Sequence, residues 1–459
     1  MKRDKTNELA GQKATVFGLG MEGVDLVRYL TARGAEVTVR DTRDADRLTS
    51  SLNQLAGVRV HLALGTDAAA PVEDVDAIYL SQSVPLTLPA IATARAEGIP
   101  VRSMMQLFLA ECRGTVVAVT GSSGKSTTTA LLGEMFRESG RKMFVGGNIG
   151  VPLLSNLDQI EEDTWVVLEI SHTQLLLTDR SPHIAAVTNV TPNHLDQFSW
   201  EQYVDLKRNM VRHQALDDIA VLNADNEVAA SFAADTAGRK LYTSLDSRSD
   251  EAVYLEGDAV LARWDGSDRQ LFGLGDIHLP GRHNIENCLT AAGAAVTAGS
   301  DAEAIRKAVQ GFHGIAHRLE LVRRVNGVGY YNDSIATAPE RTIAGMRSFP
   351  DHPLILLLGG RHKNLPWEPL VAEVLTRCRA VVCFGEAGRE IAEAITGAGF
   401  DAIETFDGLG DAVEAAARLA QSGDIVLLSP ACTSFDAYAN FEERGEHFRR
   451  LVRAIRETQ

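Results

Sequence analysis

Apolar runs of four to six residues recur along the chain, each closed by a small or polar turn and followed by a stretch of helical spacing. That alternation is the pattern of parallel α/β units, in which strands covered on both faces are joined through crossover helices. Three blocks emerge. The first pairs the run Lys13 to Phe17 with the run Ala35 to Asp41 across a glycine-bearing turn, one βαβ unit. The second opens with Thr115 to Thr120, and Leu131, Leu132, Met135 and Phe136 then share one face of a predicted helix. Further strands are predicted at 165–170 and 184–190, and the more polar, turn-rich stretch 241–278 reads as a hairpin elaboration of this block. The third block begins at Asn326 to Asp333. It continues with Leu354 to Leu358 before Gly359-Gly360, Val381 to Phe384 before Gly385, and Ile425 to Leu428 before Ser429-Pro430. Each of these strands ends where open α/β sheets hold their ligands.

A length of 459 residues agrees with three domains at roughly 150 residues each. The predicted spans are 1–110, 111–314 and 315–459, with no Pro/Gly/Ser-rich linker to mark the joins. Hydrophobic residues make up 45% and charged residues 23%, the balance of a soluble globular protein. The start Met1 to Lys5 is basic, but no apolar stretch of signal-peptide length follows it. Nor does any segment approach the roughly 20 apolar residues of a spanning helix. Cys112, Cys288, Cys378, Cys383 and Cys432 lack CxxC spacing, so neither a disulfide framework nor a zinc site is indicated and a reducing cytoplasm is expected. A net charge of -16 argues against nucleic acid as a partner, since neutralising phosphates needs a basic surface. Any anionic ligand must therefore be held by local donors.

Gly121-Ser122-Ser123-Gly124-Lys125-Ser126-Thr127 supplies such donors, because it lies between a buried-type strand and a helix, the setting a phosphate loop requires. Its glycines let backbone N–H groups approach phosphate oxygens, the helix N-terminus adds partial positive charge, and Lys125 reaches the terminal phosphates. Ser126 is the expected magnesium ligand. Val119 stands where the longer form of the loop has a glycine, so this is a shortened version. ATP use is the strongest inference from these residues alone.

Gly18-Leu19-Gly20-Met21-Glu22-Gly23 also joins a strand to a helix, with Asp41 ending the next strand. This pattern is compatible with a nicotinamide cofactor, with any other diphosphate, or with glycines that serve only helix–strand packing.

Taken with the short phosphate loop, several later segments resemble the Mur ligase family. They are Gly146-Gly147-Asn148-Ile149-Gly150, Leu168-Glu169-Ile170-Ser171, Asn189 to Asp196, Gly281 to Asn287, His317-Arg318, Asn332-Asp333-Ser334 and Ser429-Pro430-Ala431-Cys432. The resemblance runs from the first glycine loop nearly to the C-terminus. It implies an α/β protein of three domains: a Rossmann-like N-terminal domain for a uridine nucleotide, a central P-loop ATPase domain with a parallel sheet and small β elaboration, and a Rossmann-like C-terminal α/β domain for an amino acid. The implied reaction is ATP-dependent addition of glutamate to UDP-N-acetylmuramoyl-L-alanine through an acyl phosphate, by a cytoplasmic monomer in peptidoglycan precursor synthesis. D-Glutamate is the favoured amino acid and L-glutamate or another amino acid the alternative.

Site residues follow from the same resemblance. Met21 and Glu22 are expected at the diphosphate, Asp41, Thr42 and Arg43 around the uridine, and Asn148, Ser171 and Gln174 along the precursor. Glu169 and His194 join Ser126 as oxygen and nitrogen donors for two magnesium ions, the kind of ligands a carboxylate–triphosphate encounter needs. Lys207, at the end of Tyr203-Val204-Asp205-Leu206-Lys207, is expected to be carbamylated, which turns a cation into an anion able to neighbour magnesium. Asn284 and Asn287 suit an adenine edge, and Arg318 and Asp333 are expected at ATP. Thr337, Lys363, Ser434 and Phe441 are expected around the amino acid, where a lysine and hydroxyls can give charge-assisted hydrogen bonds to two carboxylates. By pattern alone, Lys207 reads as a helix-surface lysine, while an exposed lysine, a capping carboxylate, a turn histidine and helix caps stand as alternatives for Lys363, Glu169, His194 and the two asparagines.

Three departures from the family pattern gather at the amino-acid end. Ile335 stands where lysine is usual, His172-Thr173 replace Ser-Phe before Gln174, and Arg361-His362 precede Lys363. A nicotinamide dehydrogenase with an accessory nucleotide domain is the competing reading from another class.

Overall fold

A computed structural model describes residues 9–69, 72–82, 84–148, 152–193, 195, 197–246, 250–279, 281–362 and 365–456. Strands carry three sheets. The first contains β1 (Lys13–Phe17), β2 (Glu36–Asp41), β3 (His61–Leu64), β4 (Ala77–Leu80) and β5 (Val101–Ser103), in the order β3-β2-β1-β4-β5. All its pairings are parallel, so strand order reverses at β1, whose C-terminal end carries the first glycine loop.

The second sheet is built from β6 (Thr115–Thr120), β7 (Met143–Gly147), β8 (Trp165–Glu169), β9 (Ile184–Val187), β10 (Ile219–Asn223), β11 (Arg239–Ser244), β12 (Ala252–Glu256), β13 (Ala259–Trp264) and β14 (Ser267–Gly273). Its order is β14-β13-β12-β11-β10-β9-β6-β8-β7. The stretch read from sequence as hairpin is divided in the structure. β11 joins the parallel array beside β10, and only β12 to β14 form an antiparallel meander. The reason is burial on both faces, since Leu241 is fully covered and the alanine-rich helix Arg282–Thr297 packs over it. In that helix Ala291, Ala292, Ala294 and Ala295 are wholly buried, and Gly293 brings its backbone against Leu241 and Val221.

The third sheet holds β15 (Glu320–Val325), β16 (Val328–Asn332), β17 (Leu354–Gly359), β18 (Cys378–Phe384), β19 (Ile403–Phe406) and β20 (Ile425–Ala431), ordered β15-β16-β20-β17-β18-β19. β15 pairs antiparallel with β16 and the other pairings are parallel. Asn326-Gly327 is the turn of that hairpin, with φ of 51° and 80°, the left-handed pair that a two-residue turn needs. By contacts the chain divides into two compact units, Met1–Phe312 and His313–Gln459. Among the described residues no helix is long and apolar enough to cross a membrane.

Candidate active site

β6 runs directly into Gly121-Ser122-Ser123-Gly124 and the helix Lys125–Glu138. Asn189 fixes the loop from the neighbouring strand end: its carbonyl accepts from Ser122 N (2.8 Å) and its Oδ1 from Ser123 N (3.0 Å). Ser122 Oγ donates to Thr191 O (2.9 Å) and meets Tyr203 Oη at 3.0 Å. Gly124 sits at φ 79°, and a Cβ there would meet Asn287 Oδ1 at 2.1 Å. Asn287, itself held to Asn284 by a 3.1 Å bond, thus packs directly on the loop.

Two lysines converge beneath the loop. Lys125 Nζ donates to Gly121 O at 3.0 Å and to Ser122 O at 3.2 Å, while Lys207 Nζ donates to the same Gly121 O at 2.8 Å. Lys207 is 1% exposed, which corrects the surface-lysine reading. Burial first, and the Lys125 charge second, push its pKa well below the ordinary lysine range, against an opposing pull from Glu169. Glu169, at the end of β8 and 2% exposed, accepts from Asn148 Nδ2 at 2.9 Å through Oε1. Its Oε2 is buried with no hydrogen-bond partner among the described residues. An orphaned carboxylate oxygen beside a phosphate loop fits a hard cation, and Ser126 lies one residue into the helix that opens there. Thr127 follows it on the same turn, half-buried. His194 lies outside the described residues.

A cleft of about 260 Å³ lies between the first glycine loop and β7, lined by Gly20, Met21, Glu22, Ser81, Asn148 and neighbours. Met21 is exposed at its mouth. Glu22 accepts from Gln82 N and from Gln174 Nε2, each at 2.7 Å, and burial raises its pKa despite those two bonds. Gln174 Oε1 in turn accepts from Ser171 N (3.0 Å), and Ser171 Oγ donates to Gln82 Oε1 (3.3 Å). The structure therefore brings Glu22, Ser171 and Gln174 into one network and adds Gln82, which sequence reasoning missed. It also missed Asp25, which accepts from Leu153 N (2.9 Å), Leu154 N (2.8 Å) and Ser155 N (2.9 Å), and from the Ser155 hydroxyl. Its spacing from Glu22, one turn along the helix Met21–Ala32, was the available signal.

Asp41 is fully engaged: Oδ2 accepts from Leu19 N (2.7 Å) and Arg43 Nη2 (2.7 Å), and Oδ1 from Arg43 N and Nε (both 2.9 Å). Burial opposes its ionisation, but the Arg43 fork and the two backbone donors outweigh it, and the pKa lies below the usual carboxylate value. Thr42 and Arg43 are exposed at this strand end.

Within His313–Gln459 the strand ends of β16, β17 and β20 meet around Arg444. This guanidinium is wholly buried and donates to Ser334 Oγ (3.0 Å), Ser334 O (2.9 Å), Cys432 O (3.1 Å) and Gly359 O (3.3 Å). Burial lowers its pKa to about 10. No motif in the sequence pointed to it. Ser334 Oγ donates to Phe441 O (2.8 Å), which fixes Phe441 beside the edge of His317. Ser434 is buried next to this cluster, and Thr337 follows Ser334 on the same loop. Ile335 N donates to His317 O (3.1 Å), so the residue that departs from the family pattern is held by its backbone. Asp333 accepts from Ser429 Oγ (2.8 Å) and Leu319 N (3.2 Å), and burial raises its pKa to about 7. Arg318 neighbours it through its charge. His362 stacks on Trp367 with ring centres 4.3 Å apart and pairs with Glu390. Lys363 lies outside the described residues.

Strand order and loop place this chain in a definite class: an α/β protein built around a P-loop over a buried lysine and an acid. Three family models match it: the Mur ligase MurD-like N-terminal domain at residues 12–103, the Mur ligase middle domain at 119–295, and the Mur ligase glutamate ligase domain at 317–432. The UDP-N-acetylmuramoylalanine–D-glutamate ligase of Symbiobacterium thermophilum is 42% identical over 448 residues, covering 97% of this chain and 98% of that one. Its counterpart from Acetivibrio thermocellus is 39% identical over 460 residues, with 98% of each covered. Among solved structures, UDP-N-acetylmuramate-alanine ligase from Thermotoga maritima shares the fold at a TM-score of 0.53 and 16% identity, with 96% of this chain and 99% of that one covered. The chain belongs to the Mur ligase family.

Proposed function

We propose that the protein joins D-glutamate to the terminal carboxyl of UDP-N-acetylmuramoyl-L-alanine with conversion of ATP to ADP and phosphate. The supporting relatives carry that activity in their names. One observation carries the chemistry: Lys125 and Lys207 crowd a single carbonyl oxygen, and the neighbouring Glu169 has a buried oxygen with no partner among the described residues. Two ammonium groups on one acceptor repel each other, and the pair is relieved when an anion arrives or one amine loses its charge.

The phosphate-loop amides and Lys125 bind and orient the triphosphate, while Asn284 and Asn287 take the adenine and Arg318 and Asp333 complete the nucleotide contacts. The precursor carboxylate attacks the γ-phosphorus, ADP leaves, and an acyl phosphate forms. The glutamate amine then attacks the acyl carbon, phosphate departs, and the amide nitrogen gives up a proton. Ser126, Glu169 and His194 would hold magnesium, which when bound would neutralise charge between the two reacting anions. Burial and the Lys125 charge favour the neutral amine of Lys207, and that amine is suited to add carbon dioxide with release of a proton, leaving a carbamate anion where an ammonium would repel Lys125.

Domains 1–110, 111–314 and 315–459 are assigned to the uridine precursor, ATP and glutamate respectively. Met21, Thr42, Arg43, Asn148, Ser171 and Gln174 are assigned to the precursor, and Thr337, Lys363, Ser434 and Phe441 to glutamate. A cytoplasmic location is part of the same proposal. The nicotinamide reading loses its main support, because Asp41 has no acceptor left for a ribose hydroxyl. Phosphate release measured with the precursor and either D- or L-glutamate tests the proposal: release is expected only with ATP, precursor and D-glutamate together. Equal turnover with L-glutamate overturns the stereochemical assignment, and release without precursor overturns the ligase reading.

A further inference from the structure

Glycine loops that lead into a helix attract anions through free N–H groups and the helix dipole. In this chain the first turn of the helix Met21–Ala32 already carries an anion of its own, Glu22. Its side chain folds back into the cleft rather than out to solvent. Both of its oxygens are engaged: Gln82 N, of a cleft-lining residue just after β4, donates to one, and Gln174 Nε2 reaches the other from the loop after β8, each at 2.7 Å. A third donor stands beside them. Ser81 Oγ, on a residue 4% exposed that lines the same cleft, has no hydrogen-bond partner among the described residues. Three donors therefore gather around Glu22 and the cleft it lines, two of them satisfied by its carboxylate and one left without an acceptor among the described residues. Among the described residues that line it there is no lysine or arginine.

We propose that Glu22 is an intramolecular stand-in for the substrate's diphosphate, and that it sets precursor affinity by occupying donors the diphosphate must take over. This rests on the reading of the cleft as the uridine-nucleotide site. Two negative groups cannot share these donors without repulsion, so an arriving diphosphate must expel the carboxylate from Gln82 N and Gln174 Nε2. Glu22 then turns toward solvent at the exposed mouth marked by Met21. The cost of that displacement is subtracted from the binding energy, which makes the position a determinant of affinity for phosphorylated ligands only. A ligand with no phosphate leaves the carboxylate where it is.

The test is calorimetric binding of uridine, UDP and the UDP-muramoyl-alanine precursor to the full chain and to its Glu22→Gln and Glu22→Ser variants. Removing a like charge from the site is expected to tighten UDP and precursor binding by about tenfold. Uridine should bind all three proteins equally. Glutamine keeps the shape of the side chain and serine removes most of it, so agreement between the two variants separates charge from packing. Melting curves identify a variant that has failed to fold. Unchanged or weaker UDP binding by a folded Glu22→Gln protein overturns the role of Glu22 while leaving the nucleotide cleft intact. If the unaltered protein binds neither UDP nor the precursor, the reading of the cleft fails and this inference with it.

Discussion

Asp333 shows how far a single residue can depart from what its motif announces. Its place in Asn332-Asp333-Ser334 was legible as a ligand-contacting acid, but burial is not readable from three letters. In the structure it is nearly inaccessible, its pKa is raised to about 7, and desolvation is the main cause. Since the ordinary value is 3.8, folding binds a proton more tightly than the unfolded chain does. Its contribution to stability is therefore full below about pH 4 and is lost as pH rises through 7, at up to roughly 1.4 kcal/mol per pH unit. Asparagine can accept from Leu319 N and donate to Ser429 Oγ without ever charging. We expect Asp333→Asn to raise the melting temperature by about 5 °C at pH 8. The gain should shrink as pH falls and vanish near pH 4, while turnover is lost. A pH-independent difference in melting would show that desolvation is not what the substitution relieves.

At the level of elements, the strand and helix pattern was largely readable because the buried strands are continuous apolar runs ended by small residues. β6, β8, β17, β18 and β20 lie where that pattern put them. Two elements were hidden by their chemistry. β15, Glu-Leu-Val-Arg-Arg-Val, is a half-exposed edge strand whose arginines mask it, and Asn326-Gly327, which opens the third block in the sequence, is the hairpin turn that follows it. β11 opens with an exposed arginine and carries half-buried lysine and tyrosine, and only Leu241, Thr243 and Ser244 are internal, so it lacks the continuous apolar run of the other buried strands. The phosphate loop was legible down to its glycines, but the sequence could not show that Asn287 lies against Gly124. That contact gives the loop a second constraint. Gly124→Ala places a Cβ 2.1 Å from Asn287 Oδ1 at a φ of 79°. The backbone term alone costs about 1–2 kcal/mol, and relief of the clash requires Asn287 to leave the Asn284 pair. Calorimetric titration with ATP should therefore show affinity lost by at least about tenfold, with a lower melting temperature. Normal ATP affinity in this variant would mean that the loop is not the nucleotide site.

On the scale of the whole molecule, the first sheet and the central sheet form a single compact unit although no apolar pattern in the sequence joins them. Asp25 supplies part of the reason. It sits at 3% exposure on the helix after the first glycine loop and takes four donors from Leu153, Leu154 and Ser155, capping the short helix that leads to β8. A buried carboxylate so satisfied is a rigid pin, because removing it strands several amide hydrogens away from water. It was not legible in the sequence, since a lone aspartate in a helix carries no sign of its distant partners. The pin matters for chemistry as well as stability: Asn148, bonded to Glu169, lines the same cleft as Asp25. On the proposed assignment of the first sheet to the uridine nucleotide, anything that loosens it from the central sheet separates that end of the precursor from the phosphate loop. Asp25→Ala is expected to cost about 2–3 kcal/mol, the worth of hydrogen bonds to a charged group. Scanning calorimetry of the residue 1–312 unit should then resolve a second, earlier transition. In steady-state assays the KM for the precursor should rise by about tenfold or more, since positioning across the two sheets is what the pin provides. The KM for ATP should stay near its original value, because Lys125, Asn284 and Asn287 all belong to the central sheet and its helices. A rise in both constants together would mean that Asp25 supports the fold as a whole and does not set the relation between the two nucleotide-binding regions.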